Sequence, residues 1–209
     1  MPDSLSRSRI DSFSDGVLAV IITIMVLELK VPATQEISDQ AVLLSNAKIF
    51  AIYLLSFVQV GIYWVNHHYL LDDLETVSHG VLWANLGLLF ALSLIPFGLE
   101  WIGARGITPV AVAVYSGCYL LPAWAWVALA KAVQRRTGIP PAAGMAKQIV
   151  SVCLSIAAIP VALRSPWTAL AFNAIVALMW LAPPRRIVEK TRSPRSFSPG
   201  TLTGRNHFA

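Results

Sequence analysis

Long apolar segments separated by short polar stretches dominate the chain. A membrane-spanning helix needs about 20 apolar residues. By this criterion the pattern predicts six spanning helices, at about residues 11–31, 47–69, 78–101, 107–131, 146–163 and 166–183. We therefore predict an all-α integral membrane protein, with a six-helix transmembrane domain over residues 1–184 and a basic, disordered tail over residues 185–209.

The first apolar segment carries a stripe of four residues on one side of the predicted helix. Successive residues turn by about 100°, which places these four positions on one face and Asp15 nearly opposite. The stripe consists of Val20, Thr23, Ile24 and Leu27. Such a stripe is typical both of ordinary helix packing and of a pore wall, and its periodicity alone leaves both interpretations open. Glu28 follows at the outer end, where it would attract cations to a pore mouth or simply be solvated.

Polar residues also lie inside or at the base of the first three apolar segments. Polar groups in hydrocarbon are costly and often mark function. We expect a hydrogen-bonded network near one membrane surface, formed from Arg9, Ser14, Asp15, His67, His68, Trp83 and Asn85. Two roles remain open for it, structural support between helices or a proton relay. A metal site is not expected, because adjacent histidines on a helix point about 100° apart.

Composition and charge fit a membrane protein that is not an enzyme. Only 13% of the residues are charged, against about 25% in soluble domains. Of the 16 Lys and Arg residues, twelve fall on the side of the two termini and four on the other. This bias places both termini in the cytoplasm of a cell-membrane protein, so the net charge of +5 reflects topology rather than a nucleic-acid partner. We find no cofactor-binding or catalytic motif, and we expect Cys118 and Cys153 to be unpaired.

The motif residues together resemble the transmembrane-protein-175 family, the endolysosomal potassium channels and their bacterial relatives. They run in order as Arg9-x-x-x-Phe13-Ser-Asp-Gly16, Thr23, Leu27-Glu-Leu29, Trp64-x-x-His67-His68, Trp83-x-Asn85 and Pro96-Phe97. The resemblance implies a potassium channel without a carbonyl-lined filter, assembled as a homotetramer around a central pore in the bilayer. Potassium and other monovalent cations would pass it, with a modest preference for potassium over sodium.

The resemblance also assigns roles to the stripe. It implies that Val20 forms a hydrophobic constriction, that Thr23 provides a hydroxyl layer, and that Leu27 forms a second apolar ring. The family commonly has Ile or Leu at the constriction, and Val20 is smaller. The narrowest point could therefore lie instead at Ile24 or Leu27.

A proton-coupled secondary transporter is the main alternative interpretation. It would use Asp15 together with His67 or His68 as the proton-binding groups. Transporters usually contain helices broken near mid-membrane by Gly or Pro. The first apolar segment has neither residue in its middle, which favours the channel.

Overall fold

The structure of the chain, a computed structural model, describes residues 7–30, 38–72, 74, 76–140 and 144–181. Over these residues the chain is helical and contains no strand. Seven α-helices follow one another, α1 Arg7–Met25, α2 Asp39–Leu71, α3 His79–Ser93, α4 Ile95–Arg105, α5 Pro109–Thr137, α6 Met145–Ala162 and α7 Pro166–Leu181. A short 3₁₀ turn, Val26–Glu28, extends α1. The predicted basic tail at 185–209 lies outside the described residues.

The helices agree with the expected membrane architecture. Five helical segments of the described chain are long and apolar enough to cross a membrane, when α3 and α4 are counted together as His79–Arg105. The sixth, α7, is apolar but has only 16 residues. The chain is therefore an all-α integral membrane protein whose apolar segments correspond to those in the sequence pattern.

The second helix begins earlier than the predicted residue 47. Ser38 caps it, since its hydroxyl accepts a hydrogen bond from the amide of Ala41 at 3.4 Å. Residues 39–46 mix four polar with four apolar side chains, so a criterion based on a long apolar run leaves them out, although a capped helix readily includes them. The chain between the first two predicted helices is therefore helical from Asp39 onward.

The third apolar segment is two helices rather than one. Leu94 separates α3 from α4, and Pro96 lies in the first turn of α4. Proline lacks an amide hydrogen and is tolerated at this position, where a helix has no partner for it. The junction directs α4 against α5. A Cβ on Gly98 would lie 3.1 Å from the Cα of Tyr115, so glycine allows this close contact.

Helix α5 forms the centre of the bundle. Tyr115, on this helix, is fully buried, and its hydroxyl lies 3.0 Å from the hydroxyl of Ser56 on α2. The next residue, Ser116, accepts a hydrogen bond from Asn173 of α7 at 3.1 Å. These interhelical bonds satisfy polar groups that would be costly in hydrocarbon. The two cysteines are free thiols.

Candidate functional site

Helix α1 has one packed face and one open face. Its packed face contacts α2, α3 and α4 and contains the buried residues Ile10, Ser14, Leu18, Ile21 and Met25. The predicted stripe lies on the other face. The exposed fractions are 54% for Val20, 43% for Ile24 and 68% for Leu27. Within a single chain, this apolar face of a membrane helix has no helix packed over it in the described residues.

Thr23 lies on the same open face and is bonded to its own helix. Its hydroxyl is 3.0 Å from the carbonyl oxygens of Ala19 and Val20. A hydroxyl has one hydrogen to donate and two lone pairs. Donation to the backbone occupies the hydrogen and leaves acceptor capacity on the exposed side of the oxygen.

An apolar groove runs beside the open face. Gly16, Val20 and Ile24 of α1 line one side, and Ser93 and Pro96, at the junction of α3 and α4, line the other. The break between α3 and α4 thus contributes to the shape of the surface next to the stripe.

A buried hydrogen-bonded chain joins the first three helices. The amide nitrogen of Asn85 donates to the hydroxyl of Ser14 at 2.9 Å. The amide oxygen of Asn85 lies 2.6 Å from Nε2 of His67, which donates in this arrangement. All three side chains are buried. The chain Ser14–Asn85–His67 therefore fixes α1, α3 and α2 relative to one another.

Asp15 makes a separate contact. The indole nitrogen of Trp64 donates to Oδ1 of Asp15 at 2.9 Å. Trp64 and His67 are three residues apart and share a side of α2. Trp64 bonds Asp15 directly, whereas His67 is linked to the neighbouring Ser14 through Asn85. In the sequence Trp64 stands out only as part of a motif, and its pairing with Asp15 is not predicted.

An ion-pair cluster lies at the start of α1. Arg7 is 3.2 Å from the carboxylate of Asp11 and 3.0 Å from that of Asp72, just after α2. It also donates to the backbone carbonyl of Asp72 at 3.2 Å. This cluster was not predicted from the sequence. The i, i+4 spacing of Arg7 and Asp11 was the available signal for half of it.

Three residues of the predicted network, Arg9, His68 and Trp83, take no part in the hydrogen bonds and ion pairs described above. Arg9 is exposed, because it shares the open face of α1 with Phe13 and Val20. His68 is turned by about 100° from His67 and is also exposed, with its ring against Tyr69.

Trp83 is 64% exposed. It is two residues from Asn85, which on a helix places the two side chains on nearly opposite sides. The expectation that Arg9, His68 and Trp83 join the buried network is therefore not met by the geometry.

Glu28 lies at the other end of the open face and is paired. Its carboxylate is 3.7 Å from Nζ of Lys30, which is also 3.8 Å from the carboxylate of Glu100. Two carboxylates thus share one ammonium group. In the described part of the chain, no group of three or more His, Cys, Asp or Glu side chains is arranged to hold a metal ion.

Comparison with known proteins identifies the class. The family model described as "Endosomal/lysosomal potassium channel TMEM175" matches residues 9–96. A potassium channel from Chryseobacterium sp. (strain P1-3) is 41% identical over 188 residues, which are 88% of this chain and 96% of that protein. The human endosomal/lysosomal proton channel TMEM175 is 31% identical over 101 residues, which are 44% of this chain and 19% of the human protein.

A solved structure shares the fold. The crystal structure of a TMEM175 homolog from Chamaesiphon minutus, titled a lysosomal potassium-selective channel, superposes with a TM-score of 0.71 at 28% identity. The match covers 84% of this chain and 96% of that one. This protein is accordingly a helical membrane channel and not an enzyme. It belongs to the TMEM175 family, as its motifs indicated.

Proposed function

We propose that this chain is the subunit of a tetrameric cation channel with a modest preference for potassium, whose pore is lined by the open face of α1. The observation that carries the proposal is the two-sided character of α1. The buried face of α1 packs against other helices of the same subunit. Its apolar stripe is exposed, although the helix is long and apolar enough to span a membrane. Bacterial relatives that are named potassium channels support potassium as the permeant ion.

The tetramer brings copies of α1 together around one axis. Symmetric closed rings are the usual solution for homo-oligomers. The groove between α1 and the junction of α3 and α4 offers an apolar surface beside the stripe, against which a neighbouring copy can pack. Oligomerisation then covers part of an apolar surface that a single chain leaves exposed.

In this arrangement the stripe forms successive rings along the pore. Rings of Val20, Ile24 and Leu27 make an apolar neck, which can stop conduction by dewetting. An ion must shed part of its hydration to pass it. The Thr23 hydroxyl, whose acceptor capacity remains free, replaces part of that water. Potassium holds its water less tightly than sodium, so the neck favours potassium modestly.

The charge bias of the loops supports an orientation with both termini in the cytoplasm and the chain in the cell membrane. Arg7, Asp11 and Asp72 then lie at the inner end of α1. The group formed by Glu28, Lys30 and Glu100 lies at the outer end. Because two carboxylates share one ammonium group there, this group of three side chains carries net negative charge and attracts cations.

The contacts of Asp15 and His67 favour a channel over a proton-coupled transporter. Each group has its own partner on a different side chain, Trp64 for Asp15 and Asn85 for His67. No hydrogen bond described for this chain connects Asp15 with His67. We assign both pairs to structural support of the pore helix. The proton remains a second candidate permeant ion, because the human relative is named a proton channel.

Replacing Thr23 with Val is expected to lower the potassium-to-sodium permeability ratio by about two- to tenfold. Valine keeps the shape and removes the hydroxyl, whose interaction is worth about 0.5–1.5 kcal/mol. The measurement is the reversal potential of the purified protein in planar bilayers under potassium and sodium gradients. A pH gradient in the same recording reports proton permeation.

Thr137→Val serves as the matched control for this substitution. Its hydroxyl also donates to its own helix, to the carbonyl of Val133 at 3.1 Å, but at the C-terminal end of α5. The control should keep the wild-type ratio. An unchanged ratio in Thr23→Val would remove the hydroxyl layer from the proposal, and absence of any potassium current in the wild type would overturn the channel assignment itself.

A further inference from the structure

A cavity lies within each subunit, away from the open face of α1. Its walls come from α2, α5, α6 and α7. On α2 it is lined by Gln59, Ile62 and Tyr63, and no described residue of α1 is part of its lining. The cavity is therefore separate from the proposed pore.

Three polar atoms of the cavity lining have no hydrogen-bond partner among the described residues. They are Oε1 of Gln59, Nε1 of Trp126 and Nε2 of Gln148. Gln59 is only 5% exposed and Trp126 only 6%. A buried polar group without a partner costs about 1–3 kcal/mol, and such groups in native proteins are usually satisfied by water or a ligand.

The unpartnered groups are held in place by their other contacts. The amide nitrogen of Gln59 donates to the backbone carbonyl of Asn173 at 3.0 Å, which leaves its oxygen as the free acceptor. The indole ring of Trp126 packs edge-on against Tyr63 and Trp180, with ring centroids 6.0 and 6.1 Å away. Gln59 and Trp126 thus present an acceptor and a donor from a fixed frame.

The set of free groups defines the chemistry of a guest. The lining offers one free acceptor and two free donors. A hydroxyl group, with one hydrogen and two lone pairs, can bond to a group of either kind. The remaining lining includes the apolar side chains of Val127, Val152 and Val176, which suit a short alkyl group. No charged side chain of the described residues lines the cavity, so the lining itself offers no counter-charge to an ionic guest.

The size of the cavity limits the guest. The space open to water-sized molecules is about 40 Å³, which is room for about three waters. An apolar cavity that takes benzene measures about 150 Å³. We propose that this cavity is a binding site for a small uncharged molecule with a hydroxyl group, of the size of a short-chain alcohol. The site bridges four helices of one subunit and does not depend on the pore assignment.

Photolabelling tests this site directly. The full-length protein in phosphatidylcholine liposomes is irradiated with a butanol that carries a diazirine, and the labelled residues are mapped by peptide mass spectrometry. We expect saturable labelling of the cavity lining on α5 and α6, suppressed by excess 1-propanol. Trp126→Phe removes the indole donor and should lower this labelling about fivefold, the equivalent of about 1 kcal/mol.

Trp124→Phe is the matched control, because Trp124 lies on the same helix, is 56% exposed and does not line the cavity. It should leave the labelling unchanged. Gln148→Leu removes the free donor on a half-buried side chain and replaces Trp126→Phe if that variant does not fold. Cavity labelling that 1-propanol does not suppress, that is equal in Trp126→Phe and Trp124→Phe, or that is absent would overturn the proposal and leave the cavity to water.

Discussion

Replacing Val20 with Asn is expected to raise the potassium flux of the reconstituted channel by about tenfold or more. Val20 is 54% exposed on the open face of α1, and in the proposed pore it forms part of the apolar neck. An amide in its place holds water in the neck and lowers the cost of passing partly dehydrated ions. A reduction of the barrier by about 1.4 kcal/mol is enough for a tenfold change in rate.

The measurement is potassium efflux from liposomes with a fluorescent flux assay, at equal protein content. Val150→Asn is the control, because Val150 is also an exposed valine, 45% accessible, but lies on α6. It should leave the flux at the wild-type level. Equal fluxes in wild type and Val20→Asn would place the narrowest point elsewhere on the stripe, at Ile24 or Leu27, or off this face altogether.

The second large effect is expected on stability. Replacing Asn85 with Ala should destabilise the folded protein by about 2 kcal/mol, because it leaves both His67 and Ser14 without a partner in the centre of three helices. Interhelical hydrogen bonds in membranes are worth about 0.6 kcal/mol on average. Stranded polar groups and the void left by the side chain add to this loss.

Thermal unfolding of the purified protein in detergent measures this effect, and we expect a fall in Tm of about 4–8 °C. Asn66→Ala is the control, since Asn66 donates only to the carbonyl of Ile62 in its own helix, at 2.8 Å. Its Tm should change by much less. If both variants melt at the same temperature, the Ser14–Asn85–His67 chain does not secure α1 in the bundle.

Much of the helical architecture could be predicted from the sequence, because the length of an apolar segment is a local property. The ends of the helices were less predictable. The start of α2 at Asp39 depends on a cap by Ser38 and on a mixed polar and apolar segment, residues 39–46, that is not part of a long apolar run. The separation of α3 from α4 at Leu94 depends on Pro96 together with the close contact at Gly98.

Partners of the polar residues could be predicted only in part. The sequence shows that polar groups lie near one membrane surface, but their pairing depends on the rotation of each helix. This rotation brings Asp15 to Trp64, Arg7 to Asp72 and Asn85 to His67, and it turns His68 and Trp83 away. The polar atoms without partners in the intrasubunit cavity are less predictable still. Gln59 and Trp126 become buried only when four helices pack together.

Cysteine modification tests most directly which face of α1 lines the pore. Single cysteines are placed at Val20, Ile24 and Leu27 on the open face, and at Leu18 and Ile21 on the packed face. The exposed native Cys153 is replaced by Ser, and the buried Cys118 is kept.

Potassium currents are recorded in planar bilayers before and after addition of a positively charged methanethiosulfonate reagent. We expect rapid loss of current at the open-face positions and no loss at Leu18→Cys and Ile21→Cys. Loss of current at the packed face alone, or at neither face, would contradict a pore lined by the open face of α1.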